Sequence, residues 1–157
     1  MKPATRLAEA RASAFGQAMH RLLEWARPGA PIASAHIHAV QREFMLTPPE
    51  AREAAAMAER IRCGSAAWVW DTAVINWHGN EVTLFHAGQT LRIDRLVRHR
   101  DSGVWWVLDY KSAARPERDP ALLTQIHLYR SAVQSAYPGD TVRSAFLTGQ
   151  GELVLIE

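Results

Sequence analysis

Two apolar segments joined by a tight turn constrain this chain more than any other feature. Segments 91–97 and 105–111 have the composition of strands, and residues 101–103 (Asp-Ser-Gly) form a turn signal between them. A turn centred there pairs residues whose numbers sum to 203 and places Asp94 opposite Asp109. Directly opposed residues point to the same face, with Cβ atoms about 4.5–5.5 Å apart. A slip of one residue would separate the two carboxylates.

Such a carboxylate pair predicts a metal site. Two bare carboxylates at this distance repel each other, and a divalent cation between them removes that cost. Hard oxygen ligands suit Mg²⁺ or Mn²⁺. Lys111 follows Asp109 by two residues, so the strand period places its ammonium on the same face, where it can stabilise charge near a metal-bound water. The alternative is an exposed hairpin with two solvated Asp residues, but Asp109 lies in an apolar strand, where a charge needs a partner.

The remaining chain alternates between helical and strand-like patterns, which indicates an α/β fold. Ser34 is a candidate helix cap, as are Thr47 with Pro48 and Asp119 with Pro120. The pair Gly79-Asn80 is a candidate turn between two short strands. The patterns predict helices at 5–26, 34–44, 48–62 and 120–136, and strands at 72–77, 81–86, 90–98, 104–111, 142–148 and 153–156.

Composition limits the possible classes of protein. A length of 157 residues fits one domain, with a helical part at 1–64 and a sheet-containing catalytic core at 65–157. A single cysteine, Cys63, excludes an internal disulfide and any four-cysteine iron–sulfur cluster within the chain. Neither a membrane-spanning apolar run nor a secretory signal is found, so a cytoplasmic location is expected. The net charge of +2 is too small to indicate nucleic-acid binding by itself.

Four runs of residues together resemble the PD-(D/E)XK nucleases of the RecB and AddA type. They are Ile93–Val97, Trp106–Ser112, Gln125–Tyr129 and, as the helix with a histidine that forms the first family motif, Gly16–Trp25. The resemblance covers nearly the whole chain. It implies a restriction-endonuclease-like core, in which a mixed central sheet with an antiparallel meander is flanked by helices and preceded by a helical segment. It also implies Mg²⁺- or Mn²⁺-dependent cleavage of DNA.

The resemblance implies roles for the residues of the hairpin. Asp94 and Asp109 match the metal-binding carboxylates of the family, and Lys111 matches the catalytic lysine. The backbone carbonyl of Tyr110 matches a further metal ligand. Relatives usually carry glycine at the position of Arg92, so this side chain is a departure that can crowd the site or contact a phosphate.

Residues outside the hairpin also match family positions. His20 matches a histidine that helps to bind metal, although its spacing alone favours a core histidine that bonds to a backbone carbonyl. Glu81 stands where relatives carry a glutamate at the start of the preceding strand. Gln125 and Tyr129 match a glutamine–tyrosine motif near DNA, and their spacing places both on one helix face. The tryptophans of the strand region are expected to fill the core rather than to stack on bases.

The family type suggests substrate and partners. Relatives are nuclease domains at the C-terminal end of UvrD-like helicases that act in recombination and repair. Single-stranded DNA is therefore the expected substrate, an exonuclease is favoured over an endonuclease, and a helicase domain or subunit is the expected partner. The chain has no Gly-x-x-x-x-Gly-Lys-Ser/Thr motif of its own. Because Arg92 replaces glycine, a second hypothesis stays open, in which the domain binds DNA or a helicase without cutting.

Overall fold

The computed structural model describes the backbone of residues 3–157 and the side chains of residues 10–157. In this part of the chain three helices, α1 to α3, come first, three strands, β1 to β3, follow, and helix α4 precedes strands β4 and β5. Their bounds are α1 Pro3–Trp25, α2 Ser34–Glu43, α3 Pro48–Cys63, β1 Ile75–His86, β2 Gln89–His99, β3 Trp105–Lys111, α4 Pro120–Ala136, β4 Val142–Thr148 and β5 Leu153–Ile156. The side chains of residues 5–9, at the start of the predicted helix 5–26, lie outside the described residues.

The strands form one mixed sheet in the order β1-β2-β3-β4-β5. Only β3 and β4 pair in parallel, because α4 carries the chain back between them; the other neighbours are antiparallel. The structure therefore confirms the predicted α/β fold, with a mixed sheet, an antiparallel meander and an N-terminal helical segment. It is consistent with a restriction-endonuclease-like core. β3, which carries Asp109, lies in the middle of the sheet.

Apolar residues cover both faces of the sheet. Helices α1–α3 pack on one face, where they meet alternate β3 residues such as Leu108 and Tyr110. Helix α4 packs on the other face through Ile126 and Val133, against Val107 and its neighbours. A strand covered on both faces cannot shift without exposing one of the two cores. The position of β3 is therefore fixed by packing.

Helix ends follow the capping signals, with one exception. Thr47 caps α3, and its hydroxyl accepts from the Glu50 N–H while the Glu50 carboxylate accepts from the Thr47 N–H. Asp119 caps α4 by accepting from the Ala121 N–H. The prediction for Ser34 was wrong, because α2 is preceded by Ala33, which makes no side-chain cap. Ser34 is already the first helical residue.

The strand prediction before Asp94 was wrong in one respect. Residues 72–77 and 81–86 were expected to form two strands separated by a turn, whereas 75–86 form the single strand β1. The pairing of β1 with β2 continues on both sides of Gly79-Asn80 with Asn80 opposite Arg95 and Val82 opposite Ile93. Glu81 between them has a positive φ of 50°. The Gly-Asn signal therefore marks an irregularity within a strand rather than a turn.

Most of the strand-region tryptophans pack in the core as predicted. Trp70 and Trp105 are buried, and Trp68 and Trp106 are partly buried against the core beside α1–α3. Trp77 differs, since 41% of it is exposed. Across the residues that the structure describes, no helix combines the length and apolar character needed to cross a membrane.

A buried arginine stabilises the sheet directly after Asp94. Arg95 is 3% exposed. Its guanidinium donates to the Val69 carbonyl from Nη2 at 2.8 Å and to the Asn80 side-chain oxygen from Nη1 at 2.7 Å. It also lies 5.1 Å from the centre of the Trp70 ring. These contacts tie β2 to β1 and to the segment that precedes β1.

We expect Arg95→Ala to destabilise the domain by about 2–4 kcal/mol, because it leaves buried oxygens of Val69 and Asn80 without donors. Urea unfolding followed by circular dichroism measures this change. The control is Arg52→Ala on the exposed part of α3, which should change stability by less than about 0.5 kcal/mol. Equal stability of the two variants would contradict a structural role for Arg95.

Candidate metal site

The hairpin register places Asp94 and Asp109 near each other. The observed pairs from Arg98 with Trp105 to Arg95 with Leu108 all follow the predicted register. The ladder then ends, so Asp94 itself forms no backbone pair with β3. The two strands diverge at this point, and the gap between them receives side chains.

Two side chains fill the gap by binding the backbone of Tyr110. The Tyr110 N–H donates to Oδ2 of Asp94 at 2.8 Å. Nε2 of His20 lies 2.8 Å from the Tyr110 carbonyl oxygen, and because a carbonyl only accepts, Nε2 carries the hydrogen and donates. The backbone groups that β2 no longer pairs are thus satisfied by residues from β2 and α1. This hydrogen bonding keeps the strands apart where the acidic residues meet.

A reversal of strand faces accompanies the divergence. Ile93 packs in the core beside α4, whereas Arg95, two residues later, faces Trp70 on the opposite side. On β1, Val82 packs toward α4, whereas Asn80 bonds to Arg95 and to α1. Residues two apart in a regular strand share a face. The alternation therefore breaks at Glu81 and Asp94, the two residues between these pairs.

Asp109 is buried and short of hydrogen-bond partners. It is 3% exposed, and its Oδ2 makes no hydrogen bond within the described part of the chain. Nζ of Lys111 lies 3.5 Å from its Oδ1. Burial, together with the hydrogen bond to Asp94 and the charge of Asp94, raises the pKa of Asp109 to about 8. The structure thus brings Asp94, Asp109 and Lys111 together as the hairpin predicted.

His20 and Asp94 form a charge-balanced pair. Nδ1 of His20 lies 3.4 Å from Oδ1 of Asp94. Burial opposes the imidazolium, but the hydrogen bond to Asp94 and its negative charge raise the pKa of His20 above its ordinary value. Burial likewise opposes ionisation of Asp94, yet its hydrogen bonds with His20 and the Tyr110 N–H lower its pKa. In the metal-free site, Asp94 is thus the ionised carboxylate of the acidic pair.

Glu81 completes a group of possible ligands. One ligand atom each from His20, Glu81 and Asp94 lie within 4.8 Å of one another. Asp109 is not a member of this trio, but it lies close enough to Asp94 for the Asp94 carboxylate to raise its pKa. Burial and the nearby Asp94 charge raise the pKa of Glu81. On its other side, Oε2 of Glu81 forms an ion pair with Nε of Arg92, 2.6 Å away.

The residues of α4 are arranged less closely around the site. Tyr129 is partly buried against the core beside α4, and burial followed by the charges of Asp109 and Asp94 raises its pKa. Its phenol therefore lies on the side of the sheet that the carboxylates face. Gln125 is exposed one turn earlier, and no hydrogen bond of its side chain occurs among the described residues. The structure brings Tyr129 toward the acidic residues and leaves Gln125 at the surface.

A groove opens beside the acidic residues, between α1 and the β1–β2 hairpin. It holds about 240 Å³. Its walls include Gln17, His20, Arg21, Glu81 and Arg92. Two of the possible ligands, His20 and Glu81, therefore line this groove together with Arg92.

The family model of the PD-(D/E)XK nuclease superfamily matches residues 2–154. The chain belongs to the PD-(D/E)XK nuclease superfamily. Members of this superfamily are generally nucleases that use divalent metal ions. No curated protein matches the chain closely enough to add a more specific comparison.

The donor set of this PD-(D/E)XK domain fits a hard divalent cation. Asp94, Asp109 and Glu81 offer carboxylate oxygens, and His20 offers an imidazole nitrogen, a combination suited to Mg²⁺ or Mn²⁺. The buried Oδ2 of Asp109, which has no hydrogen bond among the described residues, supplies an oxygen that a cation can satisfy. Because Nε2 of His20 is hydrogen-bonded to the Tyr110 carbonyl, Nδ1 is the ring nitrogen that faces Asp94.

Two features of the site were missed in the sequence. The hydrogen bond of Asp94 to the Tyr110 N–H depends on strand divergence, which the regular register of segments 91–97 and 105–111 does not reveal. The Arg92–Glu81 ion pair was missed because its members were assigned to separate strands without a cross-strand register. The Gly79-Asn80 signal could have indicated the irregularity at Glu81.

We expect Asp109→Asn to stabilise the chelator-treated domain more at pH 9 than at pH 5, by about 1.4 kcal/mol for each pH unit that separates pH 5 from the raised pKa of Asp109. A raised carboxyl pKa means that the folded state holds a proton that the unfolded state has lost. This stabilising contribution is full below about pH 3.8 and is lost as the pH rises through about 8. Asparagine keeps the neutral form at every pH. Urea unfolding at both pH values measures the difference.

The matched control is Asp101→Asn in the exposed turn, for which we expect a change below about 0.5 kcal/mol at either pH. If Asp109→Asn were equally stabilising at pH 5 and pH 9, ionisation of Asp109 would not be the cause.

Proposed function

We propose that residues 1–157 act as one metal-dependent deoxyribonuclease domain that hydrolyses phosphodiester bonds. The observation that carries the proposal is the meeting of Asp94, Asp109, His20 and Lys111 where β2 and β3 diverge. Membership in the PD-(D/E)XK superfamily supports the same conclusion. The expected ion is Mg²⁺ or Mn²⁺, with no iron–sulfur cluster, since Cys63 is the single cysteine.

The metal-binding roles follow from chemistry and position. Asp94 and Asp109 bind the ion through oxygens, with His20 Nδ1 beside them and Glu81 as a further candidate. The Tyr110 carbonyl, which already accepts from His20, has a second lone pair for the ion. When bound, the ion polarises a phosphate oxygen and lowers the pKa of a water molecule.

The remaining residues act on the substrate. The Lys111 ammonium, paired with Asp109 at 3.5 Å and 23% exposed, lies near enough to the surface to meet a phosphate. It orients the attacking water and stabilises negative charge on the phosphate oxygens. Tyr129 lies beside the acidic residues and Gln125 farther out on α4, so we assign them to the path of the DNA strand.

The substrate, partner and cellular role that we propose come from the resemblance to RecB- and AddA-type domains. They are the degradation of single-stranded DNA from an end, in the cytoplasm, together with a UvrD-like helicase domain or subunit, during recombination and repair. The motif order from His20 through Asp94, Asp109 and Lys111 to Gln125 and Tyr129 supports this assignment.

We expect Asp109→Ala and Lys111→Ala each to lower Mg²⁺-dependent DNA cleavage by about 10³-fold or more, because one removes a ligand and the other the charge at the phosphate. Release of labelled nucleotides from a single strand measures the rate. Asp101→Ala, in the turn of the same hairpin, should retain full activity. Circular dichroism checks that each variant is folded. An active Asp109→Ala protein would rule out the mechanism.

We expect the enzyme to degrade linear single-stranded DNA and to leave a single-stranded circle of the same sequence intact, because an exonuclease requires an end. Gel electrophoresis of both substrates over the same time course measures this difference. The control is the same circle after it has been opened by one cut. Cleavage of the circle at the rate of the linear strand would identify an endonuclease and would contradict this part of the proposal.

The second candidate function is binding without cleavage. The ion pair of Arg92 with Glu81 favours it, since the guanidinium occupies a carboxylate that a cation could use. Titration of Mg²⁺ or Mn²⁺ with a labelled single strand separates the two functions. Binding that is retained without cleavage at any metal concentration identifies a DNA-binding module. Metal-dependent cleavage identifies the nuclease.

A further inference from the structure

Arg92 pairs with a carboxylate of the ligand group. Its Nε lies 2.6 Å from Oε2 of Glu81, and the Glu81 side chain is 18% exposed while that of Arg92 is 67% exposed. Arg92 lies on β2 two residues before Asp94, and both Arg92 and Glu81 line the groove between α1 and the β1–β2 hairpin. A cationic side chain therefore stands at the open end of the acidic cluster.

The acidic cluster has two ends with different counter-charges. At the inner end, Asp94 and Asp109 face each other, with Lys111 at 3.5 Å from Asp109. At the outer end, Glu81 shares a neighbourhood with His20 and Asp94 but is paired with Arg92. Three carboxylates so close together repel one another unless cations are distributed among them. Arg92 supplies a positive charge at the outer end.

The backbone directs the Glu81 carboxylate to this position. Its φ of 50° is uncommon for a residue other than glycine, and it lies at the point where the strand faces reverse. The side chain is therefore aimed by the irregularity in β1 and is not free to follow the regular strand. A cation that binds Glu81 therefore lies beside the groove that Glu81, His20 and Arg92 line.

We propose that Arg92 is a counter-ion, supplied by the chain itself, that neutralises Glu81 and restricts this site to one divalent ion. This inference rests on the proposed metal-dependent function. A guanidinium is charged at all relevant pH values and is attached to β2, so it competes with a second ion for the Glu81 oxygens at a high local concentration. The single ion is held at the inner end by Asp94, Asp109 and His20. Arg92 is a positioning residue, since it acts through Glu81.

Counting bound Mn²⁺ by electron paramagnetic resonance tests the proposal without reference to activity. The intact chain should bind one Mn²⁺. Arg92→Gly and Arg92→Gln free the Glu81 carboxylate, so each should bind two Mn²⁺ ions. The affinity of each variant for the second ion should exceed that of the unchanged protein by at least about tenfold. Arg92→Lys is the matched control and should bind one, because the ammonium still neutralises Glu81.

A double variant identifies the second ligand. Adding Glu81→Gln to Arg92→Gln should restore the count to one, because the freed carboxylate is removed. Two ions in the unchanged protein would overturn the proposal, as would one ion in both Arg92→Gly and Arg92→Gln. No bound Mn²⁺ in the unchanged protein would instead contradict the proposed metal site. The two failures are therefore distinguishable.

Discussion

The divergence of β2 from β3 next to Tyr110 is the interaction on which the site depends. A strand in the middle of a sheet must satisfy its backbone N–H and C=O groups, and here the Asp94 carboxylate and the His20 imidazole do so. The hydrogen bonds that hold the strands apart also orient two ligands. Stability of the fold and geometry of the site therefore share the same contacts.

Packing on both faces of the sheet keeps this arrangement rigid. Leu108 and Tyr110 are fixed by the helices α1–α3, and Val107 by α4, so Asp109 between them has no freedom to turn outward. Arg95 fixes the other side by joining β2 to Asn80 and Val69. The carboxylates consequently stay close despite their repulsion. Burial of apolar surface supplies the free energy that opposes this repulsion.

Each acidic side chain of the site has a basic side chain beside it. His20 and Lys111 lie near the buried carboxylates of Asp94 and Asp109, whereas Arg92 lies at the exposed end with Glu81. Burial and the charge of Asp94 raise the pKa of Asp109, whereas His20 lowers the pKa of Asp94 against its own burial, so that without metal the pair shares its charge unequally. A bound divalent ion would stabilise both in the ionised form. The site of this PD-(D/E)XK domain is thus prepared for a cation by its own electrostatics.

The sequence by itself determined the local part of this arrangement. The turn at 101–103 fixed the register that brings Asp94 to Asp109, and the strand period placed Lys111 beside them, because both depend on neighbouring residues of one hairpin. Capping signals fixed the starts of α3 and α4 for the same reason. Only the tertiary structure decided that β1 is a single irregular strand, that His20 reaches Tyr110, and that Arg92 holds Glu81. These contacts depend on the docking of α1 and on a cross-strand register, which are set by packing between distant segments and leave no periodic signal in the chain.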